Sequence, residues 1–362
     1  MTPRTLWMII PACQPRTAGS ATYAKILIPY LLNRPSVRSI LIVAATAKGG
    51  KLIEKDGRCT FFRLIPDPDK FQSSASIIHW TWQKFSMGMA QLIFSVFLLA
   101  ALFRRGRNVV YVHDAYARHL VPTLIKLFGL DAICDVRDPF FIPKGVMVFP
   151  AVIACSMNLA SRLARHLPVE RISHVPVPLD LEALRRLATN PLPPSFPVAK
   201  DYILHLGRSS PDKGVYELIE AYSQFCAAVP SPPPLVLVGR VLIADAQAIA
   251  MAHPGIFFVG EVAWDAVPAI ISKARLVILP SRTEGLPRAI LEAIALGIPI
   301  LCPPGIAELQ RYCPQCVLSE ISATAIFEAL MRAPCEFIAH EYPICEHDAL
   351  NCLARTANIM RL

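Results

Sequence analysis

The sequence predicts an α/β protein built from two Rossmann-like, doubly wound domains, and three observations lead to this fold class. The chain has 362 residues, which exceeds one ordinary domain and suits two of roughly 170 residues. Short apolar runs alternate with longer amphipathic ones, as in parallel strands joined by helices. Residues 190–197 hold four prolines, so this segment can be neither a helix nor a central strand and is expected to separate the domains.

Each predicted element is an apolar run bounded by residues that begin or end helices and strands. The predicted strands cover residues 6–10, 40–45, 109–112, 132–136, 152–154, 202–206, 235–239, 257–260 and 276–280. The predicted helices cover residues 21–32, 77–103, 115–128, 215–225 and 289–296. Pro287 suits the first turn of the last of these helices, and Gly297 followed by Pro299 ends it. The basic, turn-rich segment 48–70 predicts a hairpin or a loop.

The domain boundaries follow from this pattern. We expect a first domain at residues 1–178, a proline-rich linker at 179–199, a second domain at 200–345 and a helical tail at 346–362.

Charge is divided unevenly between the two halves. Residues 1–190 carry 24 Lys and Arg against 11 Asp and Glu, whereas residues 191–362 carry 12 against 16. A basic half can face nucleic acid, an anionic membrane or an anionic substrate. No nucleic-acid recognition motif accompanies the basic half, so we expect no nucleic-acid partner.

The cysteines and the N-terminal segment bear on the compartment. The eleven cysteines are scattered and lie mostly within apolar runs, which fits a reducing compartment better than a disulfide framework. The apolar run at residues 6–10 is too short for a signal peptide and is expected to be the first strand. The expected localisation is cytoplasmic.

Residues 77–103 form a long apolar segment that is followed by Arg104, Arg105 and Arg107. Small or polar residues recur every three or four positions, which predicts a helix. Three interpretations are open: a helix buried against the sheet, a helix lying in the membrane interface, or a membrane span. The span is the least favoured, because only 17 residues from Met87 to Phe103 are continuously apolar apart from Gln91 and Ser95.

A candidate phosphate site follows the strand at residues 202–206. That strand ends in Gly207-Arg208, and a short turn then places Lys213-Gly214 at the start of a helix. Two cations and a helix N-terminus suit a phosphate, since each charge-assisted hydrogen bond contributes roughly 1.5–3 kcal/mol and the helix end about 0.3–1 kcal/mol. The alternative is a pair of surface charges at an ordinary strand–helix turn.

Two carboxylates mark a second strand–loop–helix unit. Glu284 lies in the loop and Glu292 in the second turn of the following helix, with seven residues between them. Ligands of parallel α/β sheets sit at the carboxyl ends of the strands, where N–H groups of the following helix point at them. Both glutamates are therefore expected near an anion site, although a single loop glutamate is common in proteins without one.

These motifs, in this order with the strands at 235–239 and 257–260, resemble the carboxyl-terminal half of family-4-type retaining glycosyltransferases (glycosyl transferases group 1) of GT-B architecture. The first half is similar, with Val109-Val-Tyr-Val-His-Asp114, Cys134-Asp-Val-Arg-Asp138 and Val152-Ile-Ala-Cys-Ser156 in the order that family shows. The resemblance implies two Rossmann-like domains facing across a cleft, with the donor bound by the second and the acceptor by the first.

The resemblance also assigns donor-site roles. Arg208 and Lys213 would hold the diphosphate of a nucleotide-sugar, Glu292 would accept hydrogen bonds from ribose hydroxyls, and Glu284 would contact the donor sugar. The remaining implied donor-site positions are the backbone of Gly19, Gly207, Gly239, Gly260, Gly285 and Leu286. Many relatives have Phe-Gly after the Glu-Gly pair, whereas this chain has Leu286-Pro287-Arg288, so the resemblance leaves the precise sugar contact open but not the helix N-terminus.

Acceptor-side candidates lie at strand ends of the first half, at His113, Asp114, Arg137, Asp138 and Ser156. Alternatives remain open for each of them. Asp114 could cap a helix, and Arg137 could pair with a neighbouring aspartate instead of an acceptor phosphate or sugar.

Two other motifs suggest metal sites, which we do not expect. Asp67-Pro-Asp69 has the spacing of a metal-binding pair but lies in a proline-rich turn. Cys313-Pro-Gln-Cys316 has no second thiol pair at ligand spacing.

The resulting functional hypothesis is a retaining, metal-independent transfer from a nucleotide-sugar, expected to be UDP-linked, with no further cofactor. The basic half and the apolar helix favour a membrane-linked acceptor, such as a polyprenyl-diphosphate-linked glycan of a bacterial surface polysaccharide or glycolipid, and a peripheral position on an anionic cytoplasmic membrane face. Alternatives are a soluble small-molecule acceptor and a non-catalytic nucleotide-sugar-binding scaffold.

Overall fold

A computed structural model describes residues 3–11, 19–46, 50–66, 76–103, 108–118, 120–137, 142–282, 284–332 and 334–362. The chain divides into two compact units. The first comprises Met1–Pro178 and Ala349–Leu362, and the second comprises Leu179–Asp348. Each contains a parallel sheet flanked by helices, so the predicted α/β fold is confirmed.

The first unit is organised around an eight-stranded sheet with the order β3-β4-β2-β1-β5-β6-β7-β8 among the described residues. Its strands are β1 (Arg4–Ile9), β2 (Val37–Ala45), β3 (Ile53–Asp56), β4 (Cys59–Ile65), β5 (Asn108–His113), β6 (Ala132–Val136), β7 (Ala151–Ala154) and β8 (Ile172–His174). The pair β3 and β4 is antiparallel, and every other neighbouring pair is parallel. The predicted hairpin in segment 48–70 is therefore present.

Helices cover both faces of this sheet because the side chains of each strand alternate between the faces. The helices are α1 (Gly19–Leu32), α2 (Ser76–Phe103), α3 (Leu120–Phe128), α4 (Met157–Leu163) and, near the C-terminus, α12 (Ala349–Ile359). In β1, Leu6 and Met8 join the core beneath α1 and α12. Trp7 and Ile9 join the core beneath α2, α3 and α4.

The long apolar helix α2 packs against the sheet along one face. Ala90, Phe94 and Leu98 are fully buried in the core, and the ring of Phe97 lies 4.7 Å from that of Phe62. The polar Gln91 is satisfied within the unit, because its Nε2 donates to the Tyr116 carbonyl (2.9 Å). The core-helix interpretation is therefore correct for this face.

The opposite face of α2 is exposed and apolar. Phe85, Leu92 and Val96 are each more than half exposed. Among the described residues, one helical segment, Thr81–Ala100, is long and apolar enough to cross a membrane, and 33% of it is buried inside the structure. This ability to span a membrane is judged from length and composition alone, and core helices of soluble proteins meet the same criteria.

The second unit contains a five-stranded, all-parallel sheet with the order β11-β10-β9-β12-β13 among the described residues. Its strands are β9 (Tyr202–Leu206), β10 (Leu235–Val238), β11 (Ile256–Gly260), β12 (Ala274–Ile278) and β13 (Ile300–Leu301). Its helices are α5 (Leu181–Ala188), α6 (Val215–Ala228), α7 (Ala246–Ala252), α8 (Val267–Ser272), α9 (Arg288–Ala295), α10 (Ala307–Tyr312) and α11 (Ala323–Leu330).

The structure corrects the predicted helix at residues 115–128. A short 3-10 turn at Asp114–Tyr116 comes first, and α3 then begins at Leu120. Pro122 explains the break, because a proline is tolerated in the first turn of a helix but would disrupt a helix that had begun seven residues earlier. Pro287, expected inside the first turn of α9, instead lies just before Arg288 as its N-cap.

The unit boundaries differ from the predicted ones at two places. Residues 181–188 of the expected linker form α5, which is capped by Asp180 and packs on α8 of the second unit. The expected tail forms α12, whose Cys352 and Leu353 complete the core of the first unit. An amphipathic helix buries its apolar stripe on whichever sheet is available, so the pattern alone did not identify the partner.

Candidate active site

Three glycines occupy the carboxyl ends of neighbouring strands in the second unit. The N–H of Gly207 donates to the Val238 carbonyl (2.9 Å), and the N–H of Gly239 donates to the Gly260 carbonyl (2.8 Å). A Cβ on Gly239 would lie 2.1 Å from the Gly207 carbonyl oxygen, far inside van der Waals contact. Glycine is thus required at Gly239 for the strand ends to approach this closely.

The turn after β9 presents Lys213 at the N-terminus of α6. A 3-10 turn at Pro211–Lys213 leads into Gly214, whose φ of +66° lies in the left-handed region. A Cβ at Gly214 would lie 2.0 Å from the Pro280 carbonyl oxygen, so this turn is packed directly against the loop after β12. The two predicted motifs therefore meet at one edge of the sheet.

The structure pairs Lys213 with Glu284. Lys213 Nζ lies 2.6 Å from Glu284 Oε1 and donates to Ser281 Oγ at 3.2 Å. The two charged side chains are 13% and 17% exposed, so the ion pair is largely shielded from solvent and is stronger than a surface pair. The lysine and the glutamate predicted from separate motifs thus lie in direct contact.

Arg208 occupies the more open side of the same turn. Its Nη2 lies 3.2 Å from Asp212 Oδ2, and both side chains are more than 40% exposed. Burial acts to raise the pKa of Asp212, but the hydrogen bond from Ser210 and the charges of Arg208 and Lys213 outweigh it, so the pKa is lowered. Because an exposed pair of this kind is weak, an incoming anion can draw the guanidinium of Arg208 away from Asp212.

Glu292 lies in α9 and is paired with Arg288. Arg288 Nε lies 2.7 Å from Glu292 Oε1, one helical turn away. Burial raises the pKa of Glu292, although the charge and the hydrogen bond of Arg288 oppose the rise. The carboxylate is therefore held by one guanidinium in a poorly hydrated position, where it can accept hydrogen bonds from a ligand.

The N-termini of α6 and α9 face this edge without a side-chain cap among the described residues. Gly214 precedes α6 and Pro287 precedes α9, and neither can supply a capping oxygen. The first N–H groups of a helix have no partner within the helix and attract anions. Gly285 and the buried Leu286 lie just before α9; the expected contact of their N–H groups with a donor stays a prediction.

His205 is a buried residue beneath the turn that sequence analysis did not single out. It lies in β9, is fully buried, and its Nε2 lies 3.5 Å from the Arg208 carbonyl oxygen. Burial lowers its pKa to about 4, hydrogen bonds to the Arg208 and Ile278 carbonyls oppose this fall, and the charge of Lys213 adds to it. The imidazole is therefore neutral at pH 7.

In the first unit, His113 and Asp114 organise the turn after β5. Asp114 Oδ1 accepts the N–H of Ala115 (2.8 Å), and Asp114 Oδ2 accepts the N–H of Arg137 (2.9 Å). His113 Nδ1 lies 2.6 Å from Asp114 Oδ1. The N-cap of the 3-10 turn is His113, whose Nδ1 accepts the N–H of Ala115, and not Asp114, which is the first residue of the turn. An acceptor contact by either residue stays a prediction.

Arg137 is held by a buried polar cluster at the end of β6. Its Nε donates to Asp135 Oδ2 (2.7 Å), and the Tyr111 hydroxyl donates to the same oxygen. The guanidinium carbon lies 3.9 Å from the ring centroid of Tyr23, a cation–π contact. Asp135 is fully buried, so the salt-bridge alternative for Arg137 is observed.

The other acceptor-side and loop candidates have simpler positions. Ser156 is buried and caps α4, its Oγ accepting the N–H of Leu159 (3.3 Å). Gly19 is the first residue of α1 and not part of the preceding loop. Asp138 and the Asp67–Asp69 pair lie outside the described residues. An acceptor role for Ser156 and Asp138 and a donor role for Gly19 stay predictions.

The cysteine pair in the second unit is buried. Cys313 and Cys316 are both inaccessible to solvent, and Cys316 Sγ donates to the Phe337 carbonyl (3.0 Å). None of the ten cysteines in the described part of the chain forms a disulfide bond. Within that part, no group of three or more His, Cys, Asp or Glu side chains is arranged to hold a metal ion.

Several residues of the site gave little signal in the sequence. Ser281 and Arg282 contact the Lys213 turn from a loop about 70 positions away, which no local pattern reveals. The pairing of Arg288 with Glu292 could have been found, because the predicted helix placed them one turn apart. Asp135 and Arg137 share a strand face, and that spacing also allowed their contact to be expected.

Part of the second unit is similar to a known protein family. Residues 193–308 match the family model of glycosyl transferases group 1. A Bacillus subtilis (strain 168) protein, provisionally named as a teichuronic acid biosynthesis glycosyltransferase, TuaC, is 30% identical over 140 residues. The similar region is 38% of this chain and 34% of that relative, so the chain matches about a third of the relative's length.

Solved structures match nearly the whole chain in fold. A sucrose-phosphate synthase from Thermosynechococcus elongatus matches with a TM-score of 0.71 and 15% identity, covering 99% of this chain and 98% of its own. An E. coli structure named trehalose-6-phosphate, bound with UDP-2-fluoro glucose, matches with a TM-score of 0.69 and 12% identity over 99% of both chains. At such low identity the likeness concerns the fold alone.

The family model covers the Arg208–Lys213 turn, the Glu284 loop and α9 together, and the fold matches extend the likeness to both units. Residues 193–308 are therefore similar to the glycosyl transferases group 1, and the chain has the GT-B fold.

Proposed function

We propose that this protein transfers a sugar from a nucleotide-sugar, expected to be UDP-linked, to an acceptor with retention of configuration at the anomeric carbon. One observation carries this proposal: Lys213, Arg208 and Glu284 converge beside the uncapped N-terminus of α6. Two cations and oriented N–H groups suit a diphosphate, and a carboxylate beside them suits the hydroxyls of the attached sugar. We assign the donor to this edge of the second unit.

The chemistry follows from the charges that develop during transfer. As the bond between the anomeric carbon and the phosphate oxygen breaks, positive charge grows on the ring and negative charge on the leaving diphosphate. Lys213, Arg208 and the N-terminus of α6 stabilise that negative charge by preorganised electrostatics. The leaving phosphate oxygen accepts the proton of the acceptor hydroxyl on the same face, which gives retention without a separate base.

Glu284 and Glu292 act as positioning groups in this scheme. Glu284 is held by Lys213 at 2.6 Å, which fits a carboxylate that orients the sugar and not one that attacks it. Glu292 is held by Arg288 and accepts hydrogen bonds from the ribose hydroxyls. We expect no metal ion and no other cofactor to take part.

We further propose that the acceptor is a membrane-linked glycan, of the kind used in surface polysaccharide or glycolipid synthesis, and that the protein works peripherally at the cytoplasmic membrane face. The exposed apolar face of α2 supports this, as does α3 beside it, which exposes Leu120, Leu127 and Phe128. No Asp or Glu occurs between Lys70 and His113. Each Lys or Arg close to anionic lipid would add roughly 1 kcal/mol.

The donor proposal is tested by thermal unfolding of the purified protein with UDP-, GDP-, ADP- and CMP-linked sugars in the absence of added metal. Stabilisation by one nucleotide class, followed by release of the corresponding nucleotide when an acceptor is added, supports the enzyme. Binding without any donor hydrolysis or transfer supports the scaffold alternative. Absence of a shift with all four classes contradicts the donor site.

The membrane proposal is tested by sedimentation with vesicles of phosphatidylcholine alone or mixed with phosphatidylglycerol. The triple variant Phe85→Gln, Leu92→Gln, Val96→Gln should lose binding to anionic vesicles. A matched control replaces Leu52 and Ile53, which are equally exposed on and beside β3, and should bind as the wild type does. Equal behaviour of all three proteins contradicts the membrane proposal and favours a soluble acceptor.

A further inference from the structure

The loop after β12 supplies a second basic residue to the Lys213 turn, and its contacts are with the backbone of that turn. Arg282 Nη1 donates to the Pro211 carbonyl (3.1 Å), and the backbone N–H of Arg282 donates to the Asp212 carbonyl (3.0 Å). Two successive carbonyls of the turn are therefore fixed by one residue from another part of the chain.

The same guanidinium also reaches the helix that follows the turn. Arg282 Nη2 donates to Glu217 Oε1 (2.6 Å), and Glu217 lies in the first turn of α6. The hydrogen bond from Arg282 is the main cause of a lowered Glu217 pKa. Arg282 thus links the 3-10 turn and the N-terminus of α6, which are the two elements that present Lys213 and the helix N–H groups.

The turn has further anchors on the same loop. Lys213 Nζ donates to Ser281 Oγ (3.2 Å), and Gly214 packs so closely on Pro280 that no Cβ could be accommodated. Three consecutive residues, Pro280, Ser281 and Arg282, therefore hold the turn. Of these three, Arg282 alone contributes a charged side chain, which makes two directed hydrogen bonds in different directions.

We propose that Arg282 is a positioning residue that fixes the Lys213 turn and the N-terminus of α6 for diphosphate binding. This inference rests on the proposed function. Arg282 acts through Lys213 and does not touch the donor: its guanidinium is already directed at the Pro211 carbonyl and at Glu217. A planar guanidinium can serve both partners at once, whereas the single ammonium of lysine cannot do so in the same geometry.

The test measures the affinity for UDP, with GDP and ADP as alternatives, by titration calorimetry on the full-length wild type, Arg282→Ala, Lys213→Ala and the double variant. We expect Arg282→Ala to raise Kd about tenfold, which corresponds to the loss of one charge-assisted contact. In the Lys213→Ala background the same change should raise Kd less than twofold, because groups that act through one another are not additive.

Three further variants separate positioning from folding. Arg282→Lys keeps the charge and should bind with intermediate affinity, and it provides a folded protein if Arg282→Ala is unstable. Glu217→Gln should weaken binding less than Arg282→Ala does. Arg275→Ala is the matched control, because Arg275 is equally exposed (45% against 46%) and pairs with Asp201 elsewhere in the second unit; its Kd should be unchanged.

The outcomes distinguish this inference from the proposed function. If the wild type binds none of the three nucleoside diphosphates, the proposed function fails and this inference fails with it. If Lys213→Ala loses affinity while Arg282→Ala and Arg282→Lys bind as the wild type does, only the role of Arg282 is overturned. A purely structural role is revealed by lower melting temperatures for the Arg282 variants with an unchanged Kd, and that result also overturns it.

Discussion

Lys213 Nζ lies 2.6 Å from Glu284 Oε1, although the two residues are 71 positions apart in the chain. One follows β9 and the other follows β12, and these strands are neighbours in the second sheet. Parallel neighbours place their carboxyl ends at the same edge, so two separate strand–loop–helix units supply a cation and a carboxylate to one point. The pair is neutral overall, so a diphosphate held by Lys213 would also need Arg208 and the helix N-terminus.

We expect Lys213→Ala to raise the Kd for UDP at least tenfold, because its ammonium is the most shielded cation at this edge among the described residues. Tenfold corresponds to about 1.4 kcal/mol of binding free energy. Glu284→Gln should leave the UDP affinity within threefold, since UDP lacks the transferred sugar that Glu284 orients, but should lower turnover of the sugar-linked donor. Calorimetry and a transfer assay measure the two effects. Lys273→Ala, at the C-cap of α8, serves as a control. If the Lys213→Ala variant binds UDP with wild-type affinity, the phosphate assignment is contradicted.

Two glycines with nearly the same backbone angle provide a matched pair for stability. Gly214 (φ +66°) would place a Cβ 2.0 Å from the Pro280 carbonyl oxygen, whereas Gly297 (φ +69°) has open space around it. Gly297→Ala should cost about 1 kcal/mol of unfolding free energy from left-handed strain alone. Gly214→Ala should cost about 2 kcal/mol more because the backbone must also move. Urea unfolding measures the free energy of unfolding of both variants. Equal decreases would show that the turn can move to accommodate the added methyl group.

The Asp135–Arg137 ion pair at the end of β6 should contribute more to the free energy of unfolding than the Asp131–Arg4 pair just before β6. Asp135 is fully buried beside Arg137, whereas Asp131, which pairs with Arg4, is 40% exposed. Removing one partner of a buried pair leaves an uncompensated charge, so Asp135→Asn should cost about 3 kcal/mol. Asp131→Asn should cost less than about 1 kcal/mol. Chemical unfolding of both variants distinguishes them, and a small loss in Asp135→Asn would indicate that solvent reaches Arg137.

His205 should make stability depend on pH on the acid side. Burial lowers its pKa to about 4, against roughly 6.5 in an unfolded chain. A lowered histidine pKa contributes stability that is fully present above pH 6.5 and is lost as the pH falls toward 4, because the unfolded state binds the proton first. The wild type should therefore lose up to about 3 kcal/mol more than His205→Gln over that range. Parallel pH profiles for the two proteins would contradict this assignment.

The sequence identified the ends of the strands well, and the site residues lie there. Glu284 and Lys213 could be placed near one anion because each follows an apolar run and precedes a helix. The contact of Arg282 with Glu217 could not be predicted, since it depends on how β12 and α6 pack across 65 residues. In the first unit, Arg137 was a plausible anion ligand, and only the burial of Asp135 and Tyr111 shows that its guanidinium is already engaged.

The environment of the long apolar helix α2 could also not be predicted from the sequence. Composition and periodicity predicted α2 but could not choose between a core and an interfacial position. The structure divides the helix by face, with Phe94 in the core and Leu92 exposed. These two residues are only two positions apart, and a hydropathy average over a window cannot separate them.

The position of α12 has a consequence for biosynthesis. Its residues follow the whole second unit in the sequence, yet Thr356 lies beside Tyr23 and the Leu362 carbonyl accepts from Arg34 (2.7 Å). The first unit is therefore discontinuous in sequence, with all of the second unit encoded between its two parts. On the ribosome, the second unit can complete its core before the first, because α12 is synthesised after the second unit. A nascent first unit would meanwhile expose Leu27, Leu31 and their apolar neighbours to aggregation or chaperones.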